Sequence, residues 1–211
     1  MKNTTDQARE RILAKAEEKF RKFGVRRVTM DQIAGEIRMS KKTLYRHFSG
    51  KQELVRQLAL RIVGARLEDM RQALVGASSP REAFAAGFIA LQRLAREAAP
   101  VFLADVRADY PEIWDELEAE RSQVLHIYAE RIAEGTRAGD IRPGIVPEVA
   151  AGIMQVVVQN YMIPERFRDE NITPREAVTT WFTLLSAGLF KDPPVLVVEP
   201  DEELFVQVNN A

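Results

Sequence analysis

Residues 29–50 read TMDQIAGEIRMSKKTLYRHFSG, and the rest of the chain is organised around them. Thr29 stands three residues before Gln32, the spacing of a capping box, in which the hydroxyl accepts from the Gln32 backbone N–H and the Gln side chain reaches back. A helix is therefore predicted from Thr29, with Asp31 in its first turn at the positive end of the macrodipole. Met30, Ile33, Ala34 and Ile37 fall at spacings of three and four and form one apolar stripe. Ser40 is a second N-cap, which leaves Arg38 and Met39 for the turn. The second helix is expected over about Lys41–Phe48, long enough at roughly 1.5 Å per residue to lie across a major groove.

Leu44 and Phe48 point this second helix at the core, leaving Lys41, Lys42, Thr43, Tyr45, Arg46 and His47 on its other faces. Lys and Arg neutralise phosphates and release counterions. Thr and Tyr hydroxyls hydrogen-bond phosphate oxygens, and a helix N-terminus offers free backbone N–H groups. A charged, solvated face is the plainer account of a basic helix. The two caps, the short turn and the apolar stripe together favour a helix-turn-helix that docks on double-stranded DNA.

These residues resemble a known family. The run from Arg11 to Leu54 is similar to the DNA-binding domain of the TetR family of transcriptional regulators. It matches at Ile12, Leu13, Ala16, Phe20, Gly24, Thr29, Ile33, Ala34, Ser40, Thr43, Leu44, Tyr45, His47, Phe48, Lys51 and Leu54, with AGDIRP near residue 140 as a further point of likeness. The resemblance implies a homodimer with three-helix heads, a larger helical body holding a small-molecule pocket, and release of DNA when a ligand binds. It also implies that Thr29, Lys41, Thr43, Tyr45, His47 and Lys51 contact DNA, to which the residues themselves add Ser40 and Lys42. Two positions depart from the pattern: Arg38 stands where the family usually has Gly, and Lys42 where it often has Gly. A positive φ at Arg38 would cost on the order of 1 kcal/mol.

Composition agrees with this division. Residues 1–50 carry 13 Lys and Arg against 6 Asp and Glu, a net of +7, while residues 51–211 carry 17 against 25, a net of −8. The overall −1 hides a basic head on an acidic body, as expected if the head alone meets a polyanion. There are no cysteines, so disulfides and thiolate metal sites are excluded and a reducing, cytoplasmic location is expected. No run of about 18 apolar residues occurs, and the polar N-terminus gives no expectation of a secretory signal or a membrane partner. An enzyme is not expected, and no metal or cofactor. The only histidines are His47 and His126, and there is no HExxH, no Glu-x-x-His pair and no Gly-rich phosphate loop.

The expected fold is all-α: a helix-turn-helix head over 1–50, a helical ligand-binding and dimerisation body over 51–190, and an extended tail over 191–211. The first helix, 5–23, presents Ile12, Leu13, Ala16, Phe20 and Phe23 on one face and ends at Gly24. Arg26 and Arg27 follow, in reach of the DNA backbone. A long rod from Lys51 to about Leu74 carries Leu54, Leu58, Ile62, Ala65 and Leu67 and joins head to body. Capping boxes with Pro at the first helical position occur at Ser79–Glu82 and Thr173–Glu176. A short helix with Val101, Phe102, Leu103 and Val106 follows Pro100, and a long one starts at Pro111 and ends near Gly139.

On that long helix Arg121 shares a face with Trp114, Leu117, Leu125, Tyr128 and Ile132, so its charge needs a carboxylate, either the protein's or a ligand's. Phe88, Phe102, Trp114, Leu117, Arg121 and Tyr128 are the candidate lining of a pocket for an apolar effector bearing an acidic group; plain core is the alternative. The helix from Pro147, PEVAAGIMQVVVQNYMI, is apolar nearly all round and is expected to be buried on all sides. With the final helix, about 174–189, it would form a four-helix interface across a two-fold axis, with Ile153, Val157, Tyr161, Trp181, Leu184 and Leu185 as candidates. Core hydrogen bonding is expected of Gln155, Gln159 and Asn160. In the tail, PPVLVVEP and ELFVQV read as extended segments. Together these features indicate a ligand-responsive regulator, a repressor released from a near-palindromic operator. A helical small-molecule carrier and a DNA organiser without ligand control are the alternatives.

Overall fold

The computed structural model describes residues 4–97, 100–160 and 171–198, and the fold of these residues is all-α. The elements are α1 (Thr4–Phe23), α2 (Met30–Glu36), α3 (Lys41–His47), α4 (Lys51–Ala59), a π-helical turn (Leu60–Gly64), α5 (Ala65–Gly76), α6 (Pro80–Glu97), α7 (Pro100–Asp109), α8 (Pro111–Ala138), α9 (Pro147–Asn160) and α10 (Pro174–Leu189).

The helix ends follow local rules. At Thr29 and Thr173 both halves of the capping box are made, from Thr29 to Gln32 and from Thr173 to Glu176. At Ser79 only half is made. The hydroxyl accepts from the Glu82 N–H (3.2 Å), but the Glu82 carboxylate takes the Ser78 N–H (2.7 Å) and hydroxyl instead. Gly139 (φ 82°) closes α8, with the Asp140 N–H reaching back to the Gly135 carbonyl at 2.9 Å.

α1 buries Ile12, Leu13, Ala16 and Phe20 under α2 and α3, but Phe23 is 41% exposed, its ring flanked by the ammonium groups of Lys19 and Lys22. The rod differs from its expected form in one respect. Leu54, Leu58 and Ile62 are buried at spacings of four, and the next buried residue of the stripe is Leu67, five positions on; Ala65 is exposed. The π turn between them inserts one residue into the helical count, and so rotates Ala65 off the buried face.

α9 buries one face within the chain and leaves another uncovered. Ala150, Ala151 and Met154 are buried, whereas Val149, Ile153 and Val156 are each more than half exposed. On α7, Phe102 and Val106 are buried and Val101 is not. Of the tail, residues 193–198 form neither helix nor strand, and the Gln92 side chain of α6 donates to the Val197 carbonyl (3.1 Å); ELFVQV lies outside the described residues.

Candidate nucleic-acid interface

The turn between α2 and α3 is a Schellman motif. The Met39 N–H donates to the Ala34 carbonyl (2.9 Å) and the Arg38 N–H to that of Gly35 (3.1 Å). This geometry puts the residue after the C-cap in the left-handed region, and Arg38 sits there at φ 53°. The chain then enters α3 at Ser40, whose Oγ accepts from the Thr43 N–H (3.1 Å) and lies 2.8 Å from the Thr43 Oγ. Leu44 and Phe48 are fully buried, so the orientation of α3 is fixed by packing rather than by its own seven residues.

That anchoring sets what faces outward. Thr29, Ser40, Lys41, Lys42, Tyr45 and Arg46 are exposed, and Thr43, His47 and Lys51 are half-buried. Tyr45 keeps 48% of its surface in solvent, large for an aromatic ring. Lys42 and Arg46 have no carboxylate within ion-pair distance among the described residues, while Lys41 is paired with Asp31 of α2. Arg9 braces the end of α3. Its guanidinium donates to the His47 carbonyl (2.5 Å), lies 4.3 Å over the Phe48 ring and pairs with Glu53. Lys51 starts α4, and burial pulls its ammonium below the usual lysine range, with Asp105 and Asp109 working in the opposite direction.

A latch to α7 was not foreseen. Asp105 accepts from the backbone N–H groups of Val25 (2.7 Å) and Arg26 (3.2 Å), and Asp109 holds the Arg26 guanidinium through two bonds of 2.6 and 2.8 Å. Arg26 is thus tied to the body and not presented as a free phosphate contact. Gly24 makes the approach possible. It is at φ 75°, and a Cβ there would lie 2.6 Å from an Asp105 carboxylate oxygen. Phe20 stacks on Phe102 at 6.0 Å beside the latch. The rod is tied to α8 by Arg56, 2.9 Å from both Glu116 oxygens, and by Gln52 to Glu112.

Between α5, α6, α8, α9 and α10 lies a small cleft of about 50 Å³. Of the six pocket candidates, Arg121 and Tyr128 line it. Phe88 packs on Phe182 in the core, Phe102 faces α1, Leu117 is fully buried, and Trp114 lies beneath Arg121. Tyr128 points its hydroxyl at Gly87, has no hydrogen-bond partner among the described residues, and is held by burial well above the usual phenol range. Leu91, Met154, Gln155, Gln159 and Glu118 line the cleft unforeseen, and so does Trp181, expected at a subunit interface. Gln159 hydrogen-bonds Glu118, as expected of a core amide. Of the interface candidates, Ile153 and Leu184 are exposed, Val157 and Leu185 half-buried, and Tyr161 lies outside the described residues. No described helix is long and apolar enough to cross a membrane.

The same architecture recurs in solved structures. Over 95% of this chain and 100% of the other, at 20% identity and a TM-score of 0.71, it superposes on SmeT of Stenotrophomonas maltophilia, the repressor of the multidrug efflux pump SmeDEF. A putative transcriptional regulator from Saccharomonospora viridis, solved with choline, gives 16% identity, coverage of 89% and 100%, and a TM-score of 0.72. KstR2, the ketosteroid transcriptional regulator of Mycobacterium tuberculosis, gives 18%, 88% and 96%, and 0.61. No curated protein matches the chain in sequence. Residues 12–58, from the middle of α1 to the end of the α4 core face, match the family model of the bacterial regulatory proteins, tetR family. That family consists of DNA-binding regulators, not enzymes. Residues 12–58, with the helix-turn-helix, are thus similar to the bacterial regulatory proteins of the tetR family, and the helical body behind them shares the fold of these solved regulators.

Proposed function

We propose that the chain works as a homodimeric repressor that leaves a near-palindromic operator when a small apolar or amphipathic molecule enters the cleft. The observation that carries this reading is one connected path. Leu67 and Met70 of α5 form part of the cleft wall, and the same rod, through α4, packs on α1, which in turn carries α2 and α3. A molecule that displaces the α5 wall displaces the rod and, with it, α3. The ligand need only bind better to the form whose heads are wrongly spaced, and it lowers operator affinity by that difference and no more.

Two-fold pairing is supported by the uncovered apolar residues Val149, Ile153 and Val156 of α9 and Leu184 of α10. Two heads so joined would present their α3 helices to successive major grooves, roughly 34 to 36 Å apart or a multiple of it. Ser40, Lys41, Lys42, Thr43, Tyr45, His47, Lys51 and Thr29 are the residues proposed to meet the duplex. SmeT, described as a repressor, and the choline-bound regulator from S. viridis are structural relatives in keeping with this reading. A DNA organiser without ligand control would have no need of the cleft.

The test is footprinting on DNA flanking the gene, alongside sedimentation. Tyr45→Ala is expected to lose the specific footprint and keep the dimer. A retained footprint, or a wild-type protein that sediments as a monomer, would refute the proposal.

A further inference from the structure

The cleft is apolar along most of its wall and polar at one end, where Glu118, Arg121, Gln155 and Gln159 stand. Glu118 and Arg121 are 19% and 14% exposed, so this is a sheltered ion pair. It is also internally complete. One Glu118 oxygen takes the Arg121 guanidinium, the other takes the Gln159 amide N–H, and the guanidinium lies 4.8 Å from the Trp114 ring centre. Neither charge is left over for a ligand.

Resting on the reading of the cleft as the effector site, we infer that its ligand is uncharged. It would be an apolar body carrying one hydrogen-bond-accepting group, such as an amide, ketone or ester carbonyl. A carboxylate could reach Arg121 only by sitting beside Glu118 or by displacing it, and either leaves a sheltered negative charge uncompensated. A quaternary ammonium drawn to Glu118 meets Arg121 in the same way. A neutral acceptor disturbs neither charge. A guanidinium has more N–H donors than one carboxylate oxygen can take, and those remaining can bond a carbonyl. The acidic effector suggested by Arg121 in the sequence is thereby replaced, because the acid that balances Arg121 belongs to the protein.

The chain supplies its own reporter. Its two tryptophans are Trp181 in the cleft wall and Trp114 beneath Arg121. Full-length protein is titrated with octanamide, octanoate and octyltrimethylammonium at fixed ionic strength and neutral pH, following tryptophan emission and melting temperature. Octanamide is expected to bind at least tenfold more tightly than either ion. Glu118→Gln is expected to improve octanoate at least tenfold relative to octanamide, by leaving Arg121 without its carboxylate. Where circular dichroism shows that Glu118→Gln does not fold, the wild-type ranking decides. Octanoate or the ammonium binding wild type as well as octanamide overturns the inference and leaves the cleft as a ligand site. If none of the three probes changes emission or melting, the cleft reading falls and takes the inference with it. Preferred binding of octanamide with unchanged DNA affinity upholds the ligand class and removes the release mechanism.

Discussion

Asp105→Ala tests whether the latch between α7 and the head holds the head in place. The Asp105 side chain is 15% exposed and accepts two backbone N–H groups, from Val25 at 2.7 Å and Arg26 at 3.2 Å. Hydrogen bonds to a charged acceptor contribute about 1.5 to 3 kcal/mol each. The Arg26 N–H is exposed and can turn to water, and the Arg26 guanidinium, 61% exposed, adds little as an ion pair. Only the Val25 bond counts in full, so the expected loss is about 2 to 3 kcal/mol. For a chain of this length that corresponds to roughly 5 to 10 °C in melting temperature. Asp105→Asn retains an acceptor of about 1 kcal/mol and should lose about half as much. Urea unfolding followed by far-UV circular dichroism, with unchanged slopes, measures both. An alanine variant within about 0.5 kcal/mol of wild type, or Ala and Asn variants equal in cost, would refute the latch.

Arg38→Gly is expected to stabilise by about 0.5 to 1 kcal/mol in urea unfolding, the relief of a left-handed conformation less the entropy of a freer unfolded chain; destabilisation would mean the Arg38 side chain carries an undetected contact. Gly87→Ala puts a Cβ 1.7 Å from the Tyr128 hydroxyl oxygen and should cost about 1 to 3 kcal/mol. Adding Tyr128→Phe should restore part of it, and a double variant no better than the single one would show that the clash lies elsewhere. The Glu53 carboxyl is held below the usual range, chiefly by the Ser49 N–H just before α4. A lowered folded pKa contributes stability that is present above the unfolded value of about 4.5 and lost as pH falls through the folded value. Glu53→Gln should therefore weaken the protein at neutral pH and flatten the acid limb of its stability curve, and identical acid limbs would remove the Ser49–Glu53 bond from the account.

What could be read from the sequence was what is settled within a few residues. The Thr29 and Thr173 capping boxes, the Ser40 cap and the Gly139 terminus each satisfy backbone groups within about one turn, so the residues that do the work are neighbours in the chain. At Arg38 the signal for a positive φ was the Gly usual there in the family it resembles, and two carbonyls of α2 fix the turn. The π turn could not be read, because Leu60–Gly64 differs from ordinary helix only in how packing settles the phase of α4 against that of α5. Asp105 was equally hidden, being 80 residues from Val25.

The cleft shows where periodicity stops being informative. A helical repeat tells which face of a segment is buried but not what it is buried against. Trp181 was assigned to a subunit interface and lines the cleft, while Phe88 and Phe102 were assigned to the cleft and pack in the core and on α1. Ile153, read as a subunit-interface candidate, lies on an apolar side of α9 that no part of the described chain covers. Arg121 is the instructive case. A charge within an apolar stripe suggested a ligand, yet Glu118 stands three residues earlier on the same helix, within the range at which side chains meet. A local partner at that spacing outranks a distant one, because the helix that positions the cation has already positioned its anion.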